Sequence, residues 1–257
     1  MFQSNLFQNK TALVTGGGSG IGYAITKQLL SLGAKVIITS RKEDKLQKAT
    51  AELSAFGAVR YALCDIRDAE QVEALAQNIK ANEGTIDILV NNAGGQFPSA
   101  AENISPKGFA AVVNNNLNGT WNVTHAIANH FFIPQKNGVI VNIIANMFRG
   151  FPGMAHTGAA RAGVANLTMT LAVEWSKYNI NINAIAPGFI QSSGMDQYPE
   201  EFKRGMEDTV PAKRLGSVVE VATLTTFLCA EQTKYITGET IYIDGGQRLW
   251  GDLFKLT

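Results

Sequence analysis

Short, nearly continuous apolar runs alternate along this chain with longer stretches in which apolar residues recur at helical spacing. The runs fall at Ala12–Thr15, Lys35–Thr39, Val59–Leu63, Ile86–Val90, Gly138–Ile144, Asn181–Ile185 and Thr240–Ile243. Strands that read as continuous apolar runs are those buried on both faces, as in parallel sheets. Between them, Ile21, Ile25, Leu29 and Leu32 share one helical face, as do Val72, Leu75, Ala76 and Ile79. The alternation predicts βαβ crossovers: an α/β fold with a doubly wound, mainly parallel sheet of about seven strands and helices on both faces. No repeat, low-complexity tract or linker interrupts it, so residues 1–257 are expected to form a single domain.

Composition narrows the partners. Hydrophobic residues make up 46% and charged residues 17% of 257 residues, enough apolar material for a buried core. A net charge of +1 lacks the basic footprint that nucleic acid or an anionic membrane surface would require. The two cysteines, Cys64 and Cys229, support neither a disulfide framework nor a zinc site, and no metal is expected. The opening MFQSNLFQNK lacks the pattern of a secretory leader, and no run is long enough for a membrane helix. A cytoplasmic protein acting on a small molecule is the resulting expectation.

The most informative segment is TGGGSGIG, Thr15–Gly22, which follows the first strand and opens an amphipathic helix. In that context a glycine motif reads as a dinucleotide site rather than a flexible turn. Gly16 permits a tight turn, Gly20 lets backbone approach a pyrophosphate, and Gly22 allows close helix–strand packing. Ser19, Gly20 and Ile21 stand at the helix start, where free N–H groups and the positive dipole end attract phosphate.

Three residues separate Gly16 from Gly20, a wider spacing than G-x-G-x-x-G. With NNAG at 91–94, PG at 187–188 and ITGETIYIDGG near the end, the chain resembles the short-chain dehydrogenase/reductase family from about Thr11 to Gly246. The resemblance implies a Rossmann-type domain, a nicotinamide cofactor, and a homodimer or homotetramer. It further implies that Asp65 and Ile66 border the adenine, that Asn92, Ala93 and Gly94 line its ribose, and that Pro187, Gly188, Ile190 and Ser192 face the nicotinamide carboxamide. Trp121 and Trp175 become subunit-interface candidates, and residues near 189–214 a substrate loop.

Cofactor choice reads from the second strand, which ends Thr39-Ser40-Arg41-Lys42. An NAD site would place an acid there to accept from the ribose 2′-hydroxyl. Two cations instead favour a 2′-phosphate, so NADP(H) is expected; a solvated helix start is the plainer alternative.

The catalytic positions depart from the family pattern. Aligning AARAGV with the family's lysine segment puts Arg161 at the Lys and Thr157 at the Tyr, while Ile144 stands at the Ser. Of the four residues that the resemblance implies, Asn116 alone is kept. A Thr hydroxyl is far less acidic than a phenol of pKa about 10, and an arginine gives up its proton reluctantly. Carbonyl reduction needs an acid at the developing alkoxide. Reduction of a 2-enoyl thioester instead builds enolate charge on the thioester oxygen, which donors such as Thr157 and the Arg161 guanidinium can stabilise without surrendering a proton; Thr157 is expected to contact that oxygen, with Asn116 and Arg161 organising cofactor and catalytic water. His156 is a possible acid, its ordinary role being structural.

Two stretches, NNAGGQFPSAAENISPKGF and VNIIANMFRGFPGMAHTGAARAGVANLT, are similar to peroxisomal trans-2-enoyl-CoA reductases. The segment GFIQSSGMDQYPE is closer to bacterial dehydrogenases of citronellol and citronellal breakdown. The expected function is therefore NADPH-dependent reduction of a 2-enoyl-CoA. The alternatives are an alcohol/aldehyde dehydrogenase of a branched terpenoid and a nucleotide-binding protein with little turnover. Met147, Phe148 and Met154, with Phe151, are candidates for an acyl or terpenoid pocket, and Tyr198 for a closing loop; packing is the plainer role of each. Lys213 and Arg214 read as a solvated pair that could otherwise meet a phosphate.

Overall fold

The computed structural model describes residues 2–197, 200 and 204–249; Tyr198 lies outside the described residues. Strand β1 (Thr11–Thr15) is wholly buried and turns through the glycine loop into α1 (Gly20–Ser31). Then come β2 (Lys35–Ser40), α2 (Glu43–Leu53), β3 (Val59–Leu63), α3 (Ala69–Glu83) and β4 (Ile88–Asn91). Helix α4 (Pro106–Val113) runs through a π-helical turn, Asn114–Asn118, into α5 (Gly119–Ile127). A second π-helical turn, Ala128–Phe132, leads to α6 (Ile133–Gln135) and β5 (Gly138–Ile143). The remaining elements are α7 (Ala155–Glu174), β6 (Ile180–Pro187), β7 (Ile190–Gln191), β8 (Gly216–Ser217), α8 (Val218–Cys229) and β9 (Thr240–Ile243).

Seven strands form one parallel sheet in the order β3-β2-β1-β4-β5-β6-β9. All seven correspond to the apolar runs, with ends shifted by at most a few residues; Ile86–Val90, for example, pairs as Ile88–Asn91. The chain order reverses between β1 and β4, and ligands of open α/β sheets bind at such a switch point. The short pair β7–β8, where Ile190 and Gln191 meet Gly216 and Ser217, was not legible from periodicity.

Two apolar layers sandwich the sheet. On one side α1 and α8 pack with Ile25, Leu29, Val221 and Leu228 against Val14, Val90 and Val141. On the other, Val72, Leu75 and Ile79 of α3 join Val123, Phe131 and Phe132 against Leu13, Leu89 and Ile140. Trp175 belongs to this second layer and is buried, so packing rather than an exposed interface is its role in the chain; Trp121 is exposed.

Local signals set the helix starts. Asp68 accepts from the Glu70 and Gln71 amides at 3.0 and 3.2 Å, and Ser105 caps α4 ahead of Pro106. Ser217 and Glu220 form a reciprocal capping box on α8. No described helix is long and apolar enough to cross a membrane.

Candidate active site

The glycine loop is built for close approach. Gly16 and Gly20 have φ of +67° and +53°, which only glycine adopts without strain. A Cβ on Gly22 would overlap the Gly16 carbonyl oxygen and stand 2.5 Å from Asn92 Nδ2. Asn92 Nδ2 donates to the Thr15 and Gly16 carbonyls at 3.0 and 3.2 Å. The Thr15 hydroxyl receives the amides of Asn92 and Ala93, both at 3.0 Å. These contacts lock the NNAG segment to the glycine loop across the switch point.

A cleft of about 340 Å³ opens beside this joint, bordered by Gly16, Ser19, Gly20, Ile21 and Gly94 among others. The exposed Ser19 side chain makes no cap to α1, leaving the helix amides open. Arg41 and Lys42 line it too, and Lys45, from the first turn of α2, joins them. None of the three forms an ion pair with a described residue. Ile66 also borders the cleft, whereas Asp65 does not. Its carboxylate is gripped by Arg67, with Nη2 to Oδ2 at 2.5 Å, and this pairing, aided by Arg41 nearby, holds it below the usual carboxylate range. Open helix amides, a glycine cradle and a cationic border fit a phosphorylated dinucleotide.

A larger cavity, about 620 Å³, adjoins the cleft, and the two share Ile21, Ser192 and Gly194 on their walls. Pro187, Gly188 and Ile190 line it, fixed from the end of β6, where Gly188 donates to the Ile243 carbonyl at 3.0 Å. Met154 and Phe151 line it too, together with Met195 and Met206 from the stretch after β7. Met147 and Phe148 do not border this cavity. Met147 packs beside Ile144 and Val164, while Phe148 is exposed and meets Tyr242 edge-on at 6.0 Å.

Arg161 is the feature that gives the cavity its chemistry. It projects from the second turn of α7, is 8% exposed, and lines the cavity. Its guanidinium lies where a Cβ on Gly94 would be and makes no hydrogen bond or ion pair with a described residue. Burial pulls its pKa from the ordinary guanidinium range down to about 10, so it remains charged at neutral pH. An unpaired buried cation facing a cavity is a ready partner for negative charge.

Asn116 is fully buried in the π-helical turn. Its Nδ2 donates to the carbonyls of Gly95 and Val112 at 2.7 and 2.9 Å, and its Oδ1 receives the Gly95 amide at 3.2 Å. It clamps the backbone beside Arg161, and its side chain is not on the cavity wall. π-Helical turns often mark such sites.

Thr157 and His156 are brought near but turned away. Both are fully buried and neither lines the cavity. His156 Nδ1 accepts the Thr157 amide at 2.8 Å, and the Thr157 hydroxyl lies 3.2 Å from the same nitrogen. An imidazole nitrogen that accepts from an amide carries no proton, so the neutral ring holds its hydrogen on Nε2. That atom is buried without a partner, Phe97 stacks edge-on at 4.5 Å, and burial lowers the ring's pKa. In this arrangement the pair satisfies the start of α7 and offers no group to the cavity.

Other candidates resolve simply. Arg214 pairs with Glu220 at 2.7 Å, and Lys213 donates to the Asp208 carbonyl. Burial pushes the Cys64 and Cys229 thiols up to about 12, and no metal-holding cluster occurs among the described residues. Lys45 was missed by sequence reasoning, although its place in the turn directly after Arg41 and Lys42 could have found it. The cavity residues Asn146, Arg149 and Arg248 were missed because distant segments bring them together.

A family model described as Enoyl-(Acyl carrier protein) reductase matches residues 16–248. A probable 2,4-dienoyl-CoA reductase of Bacillus subtilis is 40% identical over 249 residues, covering 94% of this chain and 98% of that protein. A 3-oxoacyl-[acyl-carrier-protein] reductase, FabG, of Chlamydia muridarum is 36% identical, with coverage of 95% and 99%. Among solved structures, the citronellol catabolism dehydrogenase AtuB of Pseudomonas aeruginosa PAO1 is 42% identical with a TM-score of 0.87, covering 96% and 98%. Fold, glycine loop and sequence agree: the chain belongs to the short-chain dehydrogenase/reductase family, whose members are oxidoreductases using a nicotinamide cofactor.

Proposed function

We propose that this oxidoreductase uses NADPH to reduce the carbon–carbon double bond of a 2-enoyl thioester. The observation that carries the reading is Arg161, a buried cation with no partner among the described residues, on a cavity wall whose described lining includes no phenol or carboxylic acid. Ile144 occupies the wall where the family pattern has a hydroxyl. Such a wall stabilises negative charge and supplies no strong proton donor.

When bound, the nicotinamide cofactor supplies a hydride. Arg161 holds the thioester oxygen as the β-carbon accepts that hydride and enolate charge grows on oxygen. The α-carbon then takes a proton from solvent, which completes the saturated thioester. Asn116 keeps the Gly94–Gly95 backbone in place against the guanidinium. Thr157 and His156 act as positioning residues that fix the first turn of α7 and so the aim of Arg161. The stretch near 189–214 serves as the substrate loop.

Preference for the phosphorylated cofactor is supported by Arg41, Lys42 and Lys45 bordering the cleft and by the lack of an acid at the tip of β2. The named activity of the Bacillus relative fits the enoyl reading. A second reading, oxidation of a branched terpenoid alcohol, is favoured by the similarity to AtuB and by the Met- and Phe-lined cavity. NADPH consumption with crotonyl-CoA, decenoyl-CoA, acetoacetyl-CoA and citronellal separates them. Turnover of the two enoyl thioesters is the expected result; citronellal turnover without enoyl reduction overturns the proposal.

A further inference from the structure

The large cavity carries more positive charge than its apolar floor requires. Arg149 and Arg248 line it as well as Arg161, and no aspartate or glutamate is among the described lining residues. Arg149 lies in the loop after β5 and Arg248 in the turn after β9, so folding brings together residues 99 positions apart.

Arg149 is held by a neutral carbonyl, and Arg248 by an aromatic ring and one long ion pair. Arg149 Nη2 donates to the carbonyl of Gln247, the residue before Arg248, at 3.0 Å, and forms no ion pair with a described residue. Arg248 rests on the Tyr242 ring, 4.5 Å from its centroid, and forms an ion pair with Asp244 Oδ1 at 3.6 Å, a separation beyond hydrogen-bond range. Asp244 is already engaged by the amides of Gly246 and Arg248 and by Asn146 Nδ2, at 3.0, 2.8 and 3.1 Å. The Arg248 guanidinium therefore keeps its hydrogen-bond donors open. Arg149 is exposed and Arg248 partly so, which puts them toward the open side of the cavity while Arg161 is buried.

We infer that Arg149 and Arg248 form an anion subsite at the mouth of the substrate cavity, which takes the phosphate of a pantetheine-type carrier. This deepens the enoyl-thioester reading and rests on it for the identity of the carrier. Guanidinium forks match phosphate geometry and are the side chains of choice for it. An uncharged terpenoid would leave Arg149 with no anionic partner among the described residues. The apolar floor then takes the acyl chain, Arg161 the thioester oxygen, and the outer pair the phosphate.

The test is calorimetric binding of CoA, 4′-phosphopantetheine and pantetheine to the whole protein saturated with NADP+, so that the cofactor cleft is blocked. CoA is expected to bind at least about tenfold more tightly than unphosphorylated pantetheine. In Arg149→Ala/Arg248→Ala that ratio should fall toward one, and Arg149→Lys/Arg248→Lys should recover part of it. Binding of 4′-phosphopantetheine as tight as CoA assigns the subsite to the pantetheine phosphate; tight binding of CoA alone assigns it to the nucleotide phosphates. A ratio near one in the wild type, or one unchanged in the double alanine variant, overturns the subsite. Binding needs no turnover, so this result is independent of the enoyl reading. That reading fails separately if the uncharged N-acetylcysteamine thioester of crotonate is not reduced.

Discussion

Replacing Arg161 with methionine should move activity and stability in opposite directions. Methionine keeps much of the length and apolar bulk of the side chain while removing the charge and all the donors. If Arg161 stabilises the enolate oxygen, the loss resembles removal of one oxyanion donor, about 10²–10³ in kcat, or about 2.7–4 kcal/mol. Folding runs the other way. Arg161 is 8% exposed with no described partner, and burial lowers its pKa from the ordinary guanidinium range to about 10. That displacement corresponds to roughly 3 kcal/mol of opposed ionisation. The folded chain holds its proton less tightly than the unfolded chain, so the penalty is full below pH about 10 and eases as pH climbs above it. Arg161→Met should therefore unfold no earlier than wild type near neutrality, with the gap narrowing in alkali. The assays are steady-state reduction of crotonyl-CoA and thermal unfolding of the cofactor-free protein. The reasoning is refuted if the variant keeps more than about a tenth of wild-type kcat, or if it melts well below wild type.

Three further outcomes are expected. Gly94→Ala puts a Cβ into Arg161 Nη2 and 2.6 Å from Asn116 Oδ1, so kcat should fall while NADPH affinity changes less; equal loss of both would contradict the placement. Arg41→Ala/Lys42→Ala should raise KM for NADPH about tenfold or more relative to NADH, and matched changes would remove the 2′-phosphate assignment. Arg214 and the Ser217 donors hold Glu220 down to about 2, so its stabilising effect is complete above about pH 4.5 and is lost as pH falls toward about 2. Glu220→Gln should flatten that part of a urea-midpoint profile, and an unchanged slope would show that the capping box plays no part in acid unfolding.

What could be read from the chain differs by the range of the interaction. The seven sheet strands were legible because strands buried on both faces must be apolar along their length, as β1 and β5 are. The glycine loop was legible because Gly16, Gly20 and Gly22 act through their own backbone and near neighbours. Orientation was not. Thr157 and His156 sit four and five residues before Arg161, yet only the packing of α7 turns Arg161 toward the cavity and the other two into the protein. The π-helical turn holding Asn116 depends on how α4 and α5 pack, and no residue type announces it. Arg149 and Arg248 were hidden for the same reason as Trp175: their surroundings come from segments remote in sequence.

The central claim is that hydride reaches the β-carbon of an enoyl thioester beside Arg161. Its most direct test is single-turnover reduction of crotonyl-CoA by NADPH deuterated at the transferable position of the nicotinamide ring, with mass spectrometry of the product. The account predicts butyryl-CoA carrying one deuterium at C3 and a solvent proton at C2. Deuterium at C2, or an unsaturated product with deuterium on a new carbinol carbon, would contradict it.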